Sequence, residues 1–588
     1  MPDVDPFTLE VLRSTLPSIP NEMSHVLRRT SYNVMIYEVG DYCCAILDAE
    51  GNLIGQNAGG VSHFLADLGV VVRDGLKRIK SFAPGDVIVT NHSAVCGQHL
   101  NNVCVYQPFI YEGVLRGFAI TRAHWTDVGG HSTGSGVSNA ATDPWLEGLQ
   151  LNQLKLYAAG EPNEELLGLI RDNIRFPESS MGDLRSQVAS CRLGVNRLAE
   201  VFTKYGEDVV LESVSRIFGE TETRCRNVVR GFADGHYSYA SSYRDSVAAT
   251  EGPIEVVVEI DIAGDQMTID LSKCSRQRKG IFNSRTLAAP YIAYKALTVP
   301  LDPVNEGSFR ALDVILPEGT FMMATYPAAM GGWSLPLPTV IDSILAALAG
   351  ALPDRIPAAH KGYLGDQLTF FGSDPKSGKR FVAQSIEGGG WGGRPFEDGP
   401  SASVTVCQGD VRNSPIEVLE RKFPIVIEER GLRVDSGGAG KFRGGLGHQL
   451  RIRNLAPGAW NLRQSGRQFN PAWGLWGGRN GAPSERLAKP AGSPEWSNVE
   501  SYSYEVAPQS QVLIRSGGGG GWGDPLERDP QRVLRDVADG FVSRAAALEE
   551  YGVAIQPGSS DEAGLELVLD ATETARLRNR TASVSGVR

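Results

Sequence analysis

The stretch that decides the fold of the N-terminal region is residues 87–131, VIVTNHSAVCGQHLNNVCVYQPFIYEGVLRGFAITRAHWTDVGGH. Three apolar segments, VIVTN, VCVYQPFIY and VLRGFAITRAHW, follow Pro84-Gly85-Asp86, and their β-branched and aromatic residues are typical of strands. His99 lies just before one of these strands and His124 lies at the end of the next. If the two strands are antiparallel neighbours, both histidines reach the same rim of a sheet, where sites commonly form.

Helices are predicted on either side of this strand region. Asp5 is a good N-cap and Pro6 suits the first helical position, and a buried stripe at helical spacing follows. The stripe consists of Leu9, Leu12, Leu16, Ile19, Met23 and Val26, and Pro20 inside it is expected to kink the helix. Apolar spacing also predicts helices between residues 160 and 232, and Asp529 and Ser543 are the expected N-caps of two short helices near the C-terminus.

The predicted class is α+β, with several subdomains, N-terminal helices and mixed, mainly antiparallel sheets. A chain of 588 residues is too long for one ordinary core. We expect an N-terminal α/β domain at 1–232, a central α+β domain at 233–430 and a glycine-rich β domain with terminal helices at 431–570. Residues 571–588 lack apolar periodicity and are expected to form a flexible tail.

Glycine is the most unusual feature of the composition, with 68 residues, several of them in short clusters. The longest cluster is the run at 517–521, which follows the apolar segment QVLIR. It has no Lys-Ser/Thr pair, so it does not match a phosphate-binding loop. We interpret it as a turn in a β-rich domain.

Composition excludes several other classes of function. The net charge is -11 and no long block of lysine or arginine occurs, which argues against a nucleic-acid partner. The N-terminus is acidic and no run of about 18 apolar residues follows, so neither export nor a membrane span is expected. The eight cysteines form no C-x-x-C pair, and we expect reduced thiols in a cytoplasmic protein.

Histidines and polar neighbours cluster in the opening stretch. Two imidazoles with one carboxylate make a good site for a divalent metal ion. The alternative is that histidines near strand ends are hydrogen-bonding structural residues. Neither a G-x-S-x-G elbow, nor a Walker-type loop, nor a catalytic cysteine motif accompanies them.

Eight motifs in order resemble the hydantoinase B family over about residues 5 to 555. They are DPFTLEVLRSTL, LRRTSYNVMIYEVGDYCCAILDAEGNLIGQ, GQHLNNV, RAHWTDVGG, EGLQLNQLKLY, NEGSFRALDVILPEGT, DSGGAGKFRGGLG and SGGGGGWGDPLERDP. That family includes N-methylhydantoinase B subunits, the matching half of 5-oxoprolinases, caprolactamase β subunits and acetone carboxylase α subunits.

The resemblance implies a partner and a metal. Family members work with a larger A-type subunit that binds ATP and phosphorylates the substrate oxygen, in a hetero-oligomer. The B-type subunit carries a divalent ion (zinc, manganese or iron) where the activated intermediate is attacked. Residue by residue, the implied ligands in this chain are Asp41, His99 and His124, and position 102 is the fourth.

Three positions depart from the family pattern. Asn102 stands where the family has an aspartate, and the amide removes a negative charge from the metal shell. Asn91-His92-Ser93 stands where the family tends to read N-D-P, so His92 could replace the lost ligand. Val39 and Gly40 stand where two basic residues are usual. The site has therefore diverged with its substrate, changed its metal, or decayed.

Three functions remain open at the level of sequence. The first is hydrolysis of a cyclic amide (hydantoin, lactam or oxoproline-like), which the length of the chain favours. The others are ATP-dependent ketone carboxylation and a non-catalytic assembly role. Asp127 is expected to orient His124 or act as a base, or else to be a turn residue before Gly129-Gly130. Arg122 is expected to contact a phosphorylated intermediate, or else to pair with a carboxylate on the sheet.

Overall fold

The structure is a computed structural model that describes residues 4–64, 67–134, 141–244, 252–363, 366–462, 470–499, 503–558 and 567–585. The helices in this part are α1 (Pro6–Thr30), α2 (Leu68–Arg78), α3 (Ser93–Cys96), α4 (Pro144–Glu147), α5 (Glu164–Asp172), α6 (Pro177–Tyr205), α7 (Glu207–Val229), α8 (Ala288–Leu297), α9 (Leu337–Ala347), α10 (Ile416–Lys422), α11 (Pro530–Ala538), α12 (Arg544–Glu549) and α13 (Ala571–Ser585).

The strands are β1 (Tyr42–Asp48), β2 (Leu53–Gln56), β3 (Val87–Thr90), β4 (Asn102–Tyr111), β5 (Val114–His124), β6 (Leu154–Ala158), β7 (Glu161–Pro162), β8 (Gly235–Tyr243), β9 (Ile254–Ala263), β10 (Gln266–Asp270), β11 (Leu312–Ile315), β12 (Asp366–Ser373), β13 (Arg380–Glu387), β14 (Ile425–Leu432), β15 (His448–Asn454), β16 (Gly458–Leu462), β17 (Glu485–Lys489), β18 (Ser497–Asn498), β19 (Ser503–Val506), β20 (Gln511–Arg515), β21 (Ile555–Pro557) and β22 (Leu567–Leu569). The predicted α+β class is confirmed, and the strand pairs are antiparallel except β10 with β11, among the described residues.

The first sheet has the order β2-β1-β5-β4-β3-β6-β7 and is buried on both faces. Alternation along β1 shows this, because Cys44 and Ile46 join the core beneath α1 and α6, whereas Cys43 and Ala45 join the larger core shared with the rest of the chain. The N-terminal helix follows the prediction at its start. The Asp5 carboxylate accepts from the amides of Phe7 and Thr8, and the helix continues past Pro20 to Thr30.

The C-terminal half contains sheets that cross the boundary expected between residues 430 and 431. One sheet has the order β13-β12-β16-β19 and another has the order β14-β15-β20-β17-β18. Strands from both expected domains therefore share hydrogen bonds, and one apolar core joins residues from Val34 to Ile514. Asp529 and Ser543 cap α11 and α12 as predicted.

Residues 517–521 form a segment at the centre of a backbone bundle, which hydrogen-bonds on several sides to neighbouring backbone, and not the turn that we expected. The amides of Gly518 and Gly521 donate to the carbonyls of Ala482 and Arg479, three residues apart on one neighbouring segment. The carbonyls of Gly517 and Gly520 accept from the amides of Gly390 and Gly393, again three apart. A three-residue repeat with bonds directed outward is the geometry of the polyproline II helix.

Ala571–Ser585 of the expected flexible tail form a helix, and Thr574 and Arg578 of this helix contact the rest of the chain. In α13 the Thr574 hydroxyl accepts from the Ala554 amide at 3.0 Å, and the Arg578 guanidinium donates to the carbonyls of Tyr551 and Arg528. These local bonds hold the helix although its sequence lacks an apolar stripe. Residues 586–588 lie outside the described part.

Candidate functional site

Strand register places Asp41, His124 and Asn102 side by side at one rim of the first sheet. Asn102 opens β4 and is paired directly with His124 at the end of β5. Asp41 immediately precedes β1, and its carbonyl accepts from the His124 amide at 3.1 Å. The rim predicted from the strand pattern is therefore present, and three of the four implied metal ligands lie at the ends of adjacent strands.

His99 joins this group from the loop before β4. Its ring lies 5.0 Å from the His124 ring, centroid to centroid, at an interplanar angle of 78°. The His99 carbonyl accepts from the Asn102 amide at 3.2 Å, which ties the loop to the strand start. On the other side, the Trp333 ring lies 6.3 Å from His99 and 4.7 Å from His63.

A chain of buried side chains runs beneath the rim from Asn102 to Arg122. Asn102 Nδ2 donates to Gln98 Oε1 at 2.7 Å, and Gln98 Nε2 donates to Asp67 Oδ2 at 2.7 Å. Arg122 Nη1 lies 3.5 Å from the same Asp67 oxygen, and Arg122 Nε donates to Cys104 Sγ at 3.0 Å. Burial raises the pKa of Asp67 to about 6, although Arg122 opposes this rise.

This chain fixes which way the Asn102 amide points. A carboxylate only accepts hydrogen bonds, so Gln98 must present its NH₂ group to Asp67 and its oxygen to Asn102. Asn102 must then present its own NH₂ group to Gln98. Among the described residues its Oδ1 atom is left buried without a hydrogen-bond partner, so position 102 offers the rim an oxygen rather than an amide nitrogen.

Asp41 is buried with only 8% of its surface exposed. Burial raises the pKa of its carboxyl to about 7. A carboxylate withdrawn from water without an opposing charge is unstable in its ionised form, and a cation beside it would reverse that effect.

Asp127 contacts its own loop and Arg175 in the described part of the structure. Its Oδ1 atom accepts from Arg175 Nη1 at 2.8 Å and from the Gly134 amide, and its Oδ2 atom accepts from the amides of Gly129 and Arg175. These contacts correspond to the alternative role of a turn residue. Arg122 likewise has the alternative role of pairing with a buried carboxylate, Asp67.

His92 lies against a different part of the structure. Its ring stacks on Tyr326 with 5.0 Å between centroids and an angle of 28°. The sequence left open that His92 replaces the aspartate missing at position 102, and its described ring contact is with Tyr326. Within the described ranges, no group of three or more His, Cys, Asp or Glu side chains has the arrangement of a metal centre.

Several residues that support the rim escaped the sequence reasoning. The Asn33 amide donates to the His124 carbonyl at 2.8 Å, and Glu147 Oε1 accepts from the amides of Met330 and Gly331 at 2.5 and 2.8 Å. The Glu147 contact anchors the loop that carries Trp333. Asn33, Glu147 and Trp333 are far apart in the chain, so no local spacing links them. The segment VSHF around His63 offered a weak signal, an isolated histidine in an apolar setting.

Known proteins similar to this chain include two from bacteria. The putative B subunit of a D-/L-hydantoinase from Pseudomonas sp. (strain NS671) is 30% identical, over 94% of this chain and 95% of that protein. The caprolactamase beta subunit of Pseudomonas jessenii is 30% identical, over 96% of this chain and 98% of that protein.

Solved structures share the whole fold. The crystal structure of ATP-dependent caprolactamase from Pseudomonas jessenii matches with a TM-score of 0.86 and 27% identity, and the match covers 98% of this chain and 100% of that one. A nucleotide-free acetone carboxylase structure matches with a TM-score of 0.90 over 99% of this chain and 84% of that one, at 18% identity, which shows the fold alone.

The family model described as hydantoinase B/oxoprolinase matches residues 5–525. The register of the rim, the shared fold and this match agree, and the chain belongs to the hydantoinase B/oxoprolinase family.

Proposed function

We propose that this chain is the metal-binding B-type subunit of an ATP-dependent amidohydrolase that opens a cyclic amide. The observation that carries the proposal is the alignment of Asp41, His124 and Asn102 at the ends of adjacent strands, with the His99 ring 5.0 Å from the His124 ring. The substrate class is a hydantoin, lactam or oxoproline-like ring. An A-type partner first uses ATP to phosphorylate its carbonyl oxygen.

The fit to a divalent ion is one of donor chemistry, since the described His, Cys, Asp and Glu side chains do not have the arrangement of a metal centre in this structure. Two imidazoles, a buried carboxylate and an amide oxygen are ligands that zinc, manganese or iron accept in proteins. A cation would satisfy two features, the buried Asp41 carboxyl and the Asn102 Oδ1 atom, which has no hydrogen-bond partner in the described part of the chain. The proposed ligands are Asp41, His99, His124 and Asn102. Such an ion supplies Lewis-acid chemistry and a bound water of lowered pKa.

The remaining residues position the ligands and keep the rim dry. Asn33 holds the His124 carbonyl, and the Gln98–Asp67 chain holds the Asn102 amide. Trp333 covers His99 from a loop that Glu147 anchors. An amide carbonyl is a poor electrophile, so phosphorylation by the partner and exclusion of bulk water act on the same barrier.

The similar proteins favour hydrolysis over carboxylation. The two relatives at 30% identity are named for a hydantoinase and a caprolactamase, both of which act on cyclic amides. Both names also denote one subunit of a larger enzyme, which supports the hetero-oligomer.

We place the enzyme in the cytoplasm. The structure describes no helix long and apolar enough to cross a membrane.

The test is a ring-opening assay on the chain combined with its ATP-binding partner. A panel of hydantoins, lactams and 5-oxoproline is incubated with ATP, and ring-opened acid and ADP are both measured. We expect ring-opened acid from at least one ring, and its loss in His99→Ala and His124→Ala but not in His236→Ala, a surface histidine bonded to Asp261. Consumption of bicarbonate with a ketone would show carboxylation instead, and equal activity in all variants would contradict the proposed site.

A further inference from the structure

A cavity of about 230 Å³ lies between the rim of the first sheet and the elements β13 and α10. Its lining on the sheet side comes from residues 32–35, Thr126, Phe176 and Ser179. On the opposite side it comes from Arg380, Phe381, Val382, Gln384, Lys422 and Phe423. Asp41, His99, Asn102 and His124 are not among its described lining residues.

The wall of this cavity is bonded directly to the proposed ligands. Asn33 Nδ2 donates to the His124 carbonyl at 2.8 Å, and the Asp41 amide donates to the Met35 carbonyl at 2.8 Å. Thr126 follows His124 in the same loop and lines the cavity. A molecule in the cavity would therefore lie against the backbone that carries Asp41 and His124.

The charge of the lining is positive. Arg380 and Lys422 line the cavity, and none of its lining residues among the described ones is Asp or Glu. Lys422 Nζ also lies 3.0 Å from the Tyr37 hydroxyl. Asp183 is behind the wall, where its carboxylate accepts from the amides of Tyr32 and Asn33. In a protein of net charge -11, a lining with two cations and no carboxylate among its described residues favours anions.

The rest of the lining is largely apolar. Phe381, Val382 and Phe423 are each 8% exposed, so only small faces of these side chains reach the cavity. Phe176 and Val34 complete the apolar wall. A ring with an apolar substituent would bury its surface here, while an anionic group stayed at the mouth.

We propose that this cavity receives the phosphorylated substrate and selects cyclic amides with an apolar ring or ring substituent. The phosphoryl oxygens contact Arg380 and Lys422, which suit such groups through charge-assisted hydrogen bonds. The ring lies on Phe176, Phe381 and Phe423, next to the backbone that carries His124. This inference rests on the proposed function, because the activated form of the substrate is what makes it anionic.

Binding of phenyl phosphate to the purified full chain tests the inference without turnover. We expect calorimetric titration to show binding that is about tenfold weaker in Arg380→Gln and in Lys422→Gln, the loss of one bond to a charged group. Arg421→Gln is the matched control, since Arg421 adjoins Lys422 on α10 and does not line the cavity. Inorganic phosphate should bind more weakly than phenyl phosphate, because it lacks the ring.

Equal affinity in all three variants, no binding by the unaltered chain, or inorganic phosphate binding as tightly as phenyl phosphate would overturn the inference. The same titration in His99→Ala separates it from the proposed function. We expect that variant to bind phenyl phosphate normally and to lose ring opening. Ring opening in His99→Ala thus tests the metal site, and phenyl phosphate binding in the Arg380 and Lys422 variants tests the cavity.

Discussion

The rim of the first sheet and the backbone bundle around residues 517–521 are built in opposite ways. At the rim, ordinary antiparallel strands position side chains, and register alone brings Asn102 opposite His124. In the bundle around residues 517–521, the absence of side chains is what lets backbones meet. A Cβ atom added at Gly518 would lie 1.7 Å from the Ser436 carbonyl oxygen, and one at Gly519 would lie 1.9 Å from that of Trp391.

Glycine serves two different purposes in proteins, a left-handed backbone conformation and the close approach of one backbone to another. None of the glycines at 517–521 has a positive φ, so left-handed backbone does not explain them. The close approach of backbones explains them, because each neighbouring segment donates or accepts a hydrogen bond directly at the backbone of residues 517–521. Side chains therefore form the site at the rim, whereas a side chain at residues 517–521 would keep the backbones apart.

The largest expected effect is that of Gly519→Ala. The added methyl would meet backbone atoms of Trp391 and Gly392, which have no flexible end to move aside. We expect no soluble folded protein, or a loss of about 3 kcal/mol or more in stability. Gly219→Ala in α7 is the control, since its Cβ meets nothing within 4 Å and alanine favours the helix. Similar melting temperatures for both variants would contradict the close-packing account.

Arg122→Met comes next and separates the two roles of Arg122. Breaking its pair with Asp67 leaves a buried carboxylate without an opposing charge, at a cost of about 3–5 kcal/mol. Arg116→Met on the same strand removes only a partly exposed pair with Glu207 and should cost about 1 kcal/mol or less. Chemical denaturation measures both. Full stability with a lost reaction rate would show instead that Arg122 contacts substrate.

Asn102→Asp is expected to have a smaller effect. It should raise the affinity for a divalent ion and lower the stability of the metal-free protein. The added charge should tighten binding of a divalent ion by about tenfold. It also removes the NH₂ group that Gln98 accepts, so the metal-free protein should be slightly less stable. Competition with a chelator measures the affinity. Unchanged or weaker metal binding would show that position 102 does not face the ion.

Glu147→Gln should change the pH dependence of stability. Burial raises the pKa of Glu147 to about 8 from an ordinary value of 4.5, although the amides of Met330 and Gly331 oppose the rise. The folded state therefore binds the proton more tightly than the unfolded state, and stability falls as pH rises from about 4.5 to about 8. The melting temperature of Glu147→Gln should therefore fall less than that of the unaltered protein as pH rises through this range. Parallel plots of melting temperature against pH for the two proteins would contradict the prediction.

The sequence predicted the rim better than it predicted the bundle. The spacing of strands around His99 and His124 was a local signal, and the family resemblance supplied Asp41. The Gln98–Asp67–Arg122 chain could not be read, because it joins a loop, a helix start and a strand through tertiary contacts. The glycine run was misread as a turn, since its neighbours come from residues near 360, 390, 440 and 480.

The most direct test of the account is the metal content of the purified chain, measured by plasma mass spectrometry. We predict about one equivalent of zinc, manganese or iron in the unaltered protein, its loss in Asp41→Asn, His99→Ala and His124→Ala, and its retention in the surface variant His25→Ala. Each variant must remain folded for the comparison to hold, which circular dichroism checks. A chain that is folded, free of metal and still active in ring opening would contradict the account.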